Sequence, residues 1–217
     1  MSPPSTLLAM TIKRLIVDKF KQVRIDKNRS EIYNGVMVPI TSTRILIVPF
    51  GDIRKSILDT LGNTIGEIFN TQVEIYQEPL EIPKQGFSEK RGQYDVEYFL
   101  RELKPLQREK VLGVADVDLY TPGLNFIFGS ASQIGGDVCV ISITRLRQEF
   151  YGLNPNDSLF LDRVKKEAVH ELGHLYGLMH CPDPECVMHF SNSLLDTDRK
   201  SYHFCKRCRE ILSLQRP

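Results

Sequence analysis

The 217-residue chain contains no tryptophan and only five histidines, and no apolar run approaches the roughly 20 residues a bilayer-spanning helix requires. Met1 to Met10 lacks the charged start and long apolar stretch of a secretory signal, so the expected compartment is the cytoplasm and no membrane partner is expected. Charge of one sign is also scarce in excess: the formal net charge is +1, so no global field points to nucleic acid. What remains is an ordinary globular composition, 41% hydrophobic and 25% charged, long enough for one core without disulfide staples. Oligomeric state is not legible in it.

Residues 1–40 read as a basic extension. Across 1–35, seven basic residues (Lys13, Arg14, Lys19, Lys21, Arg24, Lys27, Arg29) stand against Asp18, Asp26 and Glu31, and the apolar residues follow no clean period. It reads as a solvated extension or as an arm for a polyanion, and Met37 offers an alternative start. Residues 41–217 read as one domain. Arg44 to Pro49 is a buried-strand run, and Ile53, Ile57, Leu58, Leu61, Ile65 and Ile68 repeat at helical spacing, weakened by Gly62 and Gly66. Gln72 to Glu78 alternates as a strand, and 94–103 reads as a helix stopped by Pro105. Strand-like segments follow near 110–119, 125–131 and 137–145, the last two close enough to pair as an antiparallel hairpin across Gly135-Gly136. Asn154 to Ser158 starts a helix whose buried stripe is Leu161, Val164, Ala168, Leu172 and Leu175. The expected fold class is α/β: a mixed, mostly parallel twisted sheet with one antiparallel edge strand, a long helix in the C-terminal third and a small C-terminal subdomain.

The chemistry is concentrated in His170-Glu-Leu-Gly-His174-Leu-Tyr-Gly177-Leu-Met-His180. At about 100° per residue, His170 and His174 lie about 40° apart on one helix face, within reach of one zinc ion. Glu171 is offset by about 60° from His174, which directs its carboxylate to a water beside the metal rather than to the metal. A continuing helix would turn His180 about 240° away, so the helix must end, and Gly177 can take the left-handed conformation that ends it. Three imidazoles leave one coordination position open, which marks a catalytic zinc. Chance would produce these five fixed positions about once in ten thousand such chains.

Four of the five cysteines form a second set. Cys181-x4-Cys186 and Cys205-x2-Cys208, with 18 residues between the pairs, have zinc-ligand spacing, and four thiolates close a structural site spanning 181–208. Two disulfides or free thiols are the alternatives. Cys139, in Val-Cys-Val, reads as a plain buried residue. His189 and His203 complete no further set. The expectation is two zinc ions per chain, one catalytic and one structural.

The run from His170 to Cys208 resembles the archaemetzincins, a branch of the metzincin zinc metallopeptidases. The resemblance rests on the extended histidine motif, the four cysteines, Met188 and the segment Phe190 to Lys200. It implies a turn at Met188 beneath the catalytic zinc and an antiparallel edge strand over 125–131 lining the substrate cleft. Some metzincins carry a tyrosine two residues after that methionine, where this chain has Phe190. The implied activity is hydrolysis of peptide bonds in a peptide or protein substrate, with Glu171 as general base. Two other readings stay open: a zinc protein of this fold with little turnover or a non-peptide amide substrate, and a zinc-knuckle module that binds nucleic acid or another partner. The last draws on the basic segment with Lys206, Arg207, Arg209 and Arg216 against Glu210.

Overall fold

A computed structural model of the chain describes residues 31–33, 36–38, 44–106 and 110–214. It divides into two units, 1–42 and 43–217. In the first, β1 (Glu31–Tyr33) pairs antiparallel with β2 (Val36–Val38). Of the basic extension expected over 1–40, the seven basic residues between Lys13 and Arg29 lie outside the described residues.

The second unit opens with β3 (Arg44–Phe50), helix α1 (Lys55–Phe69) and β4 (Gln72–Ile75). Two short strands, β5 (Phe87–Ser88) and β6 (Gln93–Asp95), precede α2 (Val96–Leu103), and β7 (Lys110–Ala115) and β8 (Leu119–Tyr120) follow it. Next come β9 (Gly129–Ala131), β10 (Val138–Ser142), the long helix α3 (Asp157–Leu175), α4 (Leu194–Arg199) and α5 (Lys206–Leu214). The main sheet has the order β4-β3-β7-β10-β9 and is parallel except at β9, which runs antiparallel to β10 as the edge strand. This is the mixed α/β architecture expected from the sequence.

Alternation along the strands builds two cores. Ile45, Ile47, Leu112, Val114 and Ile141 face α1 and α3, while Leu46, Val48, Val111, Val138 and Val140 face α2. Cys139 is buried on the first of these faces. Cys181, Cys186, Cys208 and Leu212 belong to that same cluster, so the C-terminal segment shares the main core. No described helix is long and apolar enough to cross a membrane.

The differences from expectation are local. Helix α1 runs unbroken through Gly62 and Gly66, because Ile57, Leu58, Leu61 and Ile65 are buried and tertiary packing outweighs the propensity cost. The segment expected as one strand over 110–119 splits: β7 ends at Ala115, and β8 joins a separate sheet of order β5-β6-β8. Of 125–131 only 129–131 enters the main ladder, while Ile127 bridges Leu119. Leu161 is half-buried rather than part of the closed stripe.

Candidate metal centre and cleft

Helix α3 begins where Asn156 accepts a hydrogen bond from the Leu159 N–H at 3.0 Å, a side-chain N-cap. It ends where Gly177 adopts φ +79°; Leu178 N–H then reaches Gly173 O at 3.0 Å and Gly177 N–H reaches His174 O at 2.9 Å. Those two bonds form a Schellman cap, and the reversal brings His180 back toward the helix. The ring of His180 lies 4.9 Å from that of His174 and 5.3 Å from that of His170.

The rings of His170 and His174 are committed from behind. His170 Nδ1 lies 2.8 Å from Val187 O, and His174 Nδ1 lies 2.7 Å from Leu178 O. A carbonyl can only accept, so both Nδ1 atoms carry hydrogen when the rings are neutral, and both Nε2 atoms present lone pairs. Those lone pairs face each other at 3.1 Å. Two acceptors at that distance repel, and a cation between them removes the repulsion. One ligand atom from each of His170, His174 and His180 lies within 4.8 Å of the others. Burial first, then the Lys200 ammonium, holds His170 well below the usual imidazole range, and burial lowers His174 and His180 as well. Neutral imidazoles are what a metal needs. The residues fit a zinc ion.

Glu171 sits under the edge strand. A Cβ on Gly129 would stand 2.7 Å from both Glu171 Cγ and Oε1, so only glycine lets β9 pass this close. Burial pushes the Glu171 carboxyl up to about 8, and Glu167 adds to the rise, while Lys200 and the Ala131 backbone N–H oppose it. Met188 is fully buried against the same helix, and a Cβ on Gly173 would run into its Sδ. The chain around it is tied in place, since Cys181 N–H donates to Met188 O at 2.9 Å and Val187 N–H to His203 O at 3.0 Å.

The four cysteines also converge, with their Sγ atoms within 4.8 Å of one another. Cys181 and Cys205 sulfurs stand 3.8 Å apart and those of Cys186 and Cys208 stand 3.7 Å apart. A tetrahedron with metal–sulfur bonds of about 2.3 Å has edges of about 3.8 Å, whereas a disulfide needs about 2.05 Å. Burial, and next the charge of Cys186, pushes the Cys208 thiol up, so a cation is needed to hold several thiolates here. Cys139, the fifth thiol, is buried and apart from this set.

A cleft of about 220 Å³ opens beside His170 and Glu171. Residues 124–129 wall one side, and Phe190, Ser191 and Asn192 wall the other. Phe190 packs 4.9 Å from the His180 ring and offers it no hydroxyl.

Sequence reasoning missed the polar frame behind this cleft. Glu167, one helical turn before Glu171, forms a buried ion pair with Lys200 at 3.0 Å. Arg163 grips Asp198 through two bonds of 2.6 and 2.7 Å, and Arg163 Nη1 also donates to Leu146 O. These pairs fasten α4 to α3. The available signal was the placement of Arg163, Lys166 and Glu167 on a helix whose second half is buried all round.

The sequence profile of peptidase family M54 matches residues 40–214. The archaemetzincin of Methanocaldococcus jannaschii is 44% identical over 165 residues, which is 76% of this chain and 90% of that protein. The crystal structure of archaemetzincin from Methanopyrus kandleri superposes with a TM-score of 0.73 at 39% identity, covering 83% of this chain and 98% of that one. A zinc-dependent peptidase from Methanocorpusculum labreanum gives a TM-score of 0.68 at 31% identity, covering 77% and 99%.

Proposed function

The chain belongs to peptidase family M54, the archaemetzincins, and is thus a zinc metallopeptidase; from that premise we propose that His170, His174 and His180 hold its catalytic zinc and that Glu171 is the general base. We assign a second, structural zinc to Cys181, Cys186, Cys205 and Cys208. The observation that carries the reading is the pair of Nε2 lone pairs 3.1 Å apart, next to a buried carboxylate at the floor of a cleft.

Zinc held by the histidines supplies activation of water and polarisation of the scissile carbonyl. The protein's own groups do the rest. Val187 O and Leu178 O fix the tautomer of the two helical imidazoles. Glu171, offset from both rings, takes a proton from the attacking water and returns it to the departing amine. The Ala131 N–H braces that carboxylate from the edge strand. That N–H points away from β10, and along the same free edge, where β9 has no strand neighbour among the described residues, an extended peptide can add through the remaining backbone groups and run past Glu171. The substrate is accordingly a peptide or protein segment in extended form.

Metal analysis of chain purified without chelator should give two zinc ions per molecule. His174→Ala should give one, because it removes a histidine ligand and leaves the cysteine set whole. One zinc in the unmodified chain would refute the two-site assignment.

A further inference from the structure

Two features of the cleft are not accounted for by peptide hydrolysis as such. Ser191 Oγ is buried and has no hydrogen-bond partner among the described residues, although Ser191 lines the cleft. Buried hydroxyls are ordinarily paired, and an unpaired one calls for a partner brought by a ligand or a water. The second feature is Glu167, which also lines the cleft and is 3% exposed. Its Oε1 receives Lys200 Nζ at 3.0 Å and Thr197 Oγ1 at 3.3 Å. Lys200 is itself buried and also reaches His189 O at 3.4 Å. The carboxylate is therefore pinned and neutralised, but an ionised carboxylate has about four acceptor positions and the two bonds leave capacity.

Around these polar groups the walls are apolar: Phe126, Ile127, Phe128 and Phe190. Resting on the peptidase reading, we propose that this part of the cleft selects an uncharged substrate side chain with an apolar body and a hydrogen-bonding tip, tyrosine above all, adjacent to the scissile bond. Ser191 and Glu167 read the tip. The other side-chain classes each fail on one term. A lysine or arginine would bring a second cation to a carboxylate that already holds Lys200, and would lose its hydration among phenylalanines. An aspartate or glutamate would face Glu167. A phenylalanine or leucine would satisfy the walls but bring no partner to Ser191 Oγ, which is already sealed in the free chain, and so gains nothing there. A tyrosine meets both demands, since its hydroxyl donates to Glu167 and accepts from Ser191.

The test is calorimetric binding to the zinc-loaded full chain. The probes are acetohydroxamate and four succinyl hydroxamates identical except for a tyrosine, phenylalanine, lysine or glutamate side chain. Tyrosine should bind tighter than phenylalanine by about tenfold or more, since one of its two bonds goes to an ionised carboxylate. Lysine and glutamate should each bind at least tenfold weaker than tyrosine. Ser191→Ala should narrow the gap between tyrosine and phenylalanine to what the Glu167 bond alone supplies, and Ser191→Thr, which keeps the hydroxyl, should restore it. Phenylalanine equal to tyrosine, lysine or glutamate tightest, or a gap that Ser191→Ala leaves undiminished would each overturn the selectivity. Acetohydroxamate binding would in those cases leave the peptidase reading standing. Failure of acetohydroxamate to bind would overturn the metal site, and this proposal with it.

Discussion

At the scale of single residues, the site is governed by what stands behind each functional atom. His170 and His174 present Nε2 because two carbonyls occupy Nδ1. Glu171 lies where Gly129 gives it room. Its carboxyl, ordinarily near 4.5, is raised to about 8, chiefly by burial. Between those values the folded chain keeps a proton that the unfolded chain has released, so this group makes stability fall as pH rises through the window. Glu171→Gln cannot lose that proton. With the histidine site stripped of metal, the glutamine variant should melt above the unmodified protein at pH 8.5, and the gap should close toward pH 4.5. Loading zinc should shrink the slope, since a dication favours the ionised carboxylate. Parallel melting curves across that range would show that Glu171 is not buried as described. The ligand candidates and Glu171 could be read from the sequence because fixed spacings on one helix and two cysteine pairs encode them. Glu167, Lys200 and Ser191 could not. Glu167 and Lys200 are 33 positions apart, and no local periodicity links a helix to a segment that folds back over it.

At the scale of elements, the end of α3 decides where His180 goes. Gly177 sits at φ +79°, where a Cβ costs about 1–2 kcal/mol. Gly177→Ala should therefore lower the melting temperature, and should weaken metal binding at the histidines more than at the cysteines, because His180 depends on that reversal. Equal loss of metal from both sites, or none, would count against the cap as the device that positions His180. This turn was legible, since a third histidine six residues past the second demands a break and a glycine stands between them. The main strands and α1 were legible for a similar reason, each burying a regular apolar pattern. The split between β7 and β8 was not, because Ala115 and Leu119 are both buried and their spacing does not reveal that they serve different sheets. Likewise 125–128 carries strand-like aromatic residues that wall the cleft instead of pairing in the main ladder.

At the scale of the whole molecule, the cysteine cluster and the active helix are parts of one core. Cys181 follows His180 directly, and Cys186 begins the turn that carries Val187 and Met188 under the helix. A structural zinc held there would contribute folding free energy. Cys205→Ser should consequently lower the melting temperature and ease proteolysis beyond about residue 181, with the histidine site disturbed as a consequence. An unchanged melting curve would show that these cysteines hold no structural ion. The fastening of α4 to α3 through Arg163–Asp198 and Glu167–Lys200 acts at the same scale, since it sets the wall of the cleft against its floor. The central claim is that Glu171 moves protons while the histidines hold metal. The measurement that tests it most directly is peptide hydrolysis by Glu171→Ala, with zinc counted in the same preparation. Turnover should fall by about 10²–10⁴-fold or more while both zinc ions stay bound. Near-normal turnover would contradict the general-base role, and loss of the catalytic zinc would make Glu171 a ligand and break the three-histidine assignment.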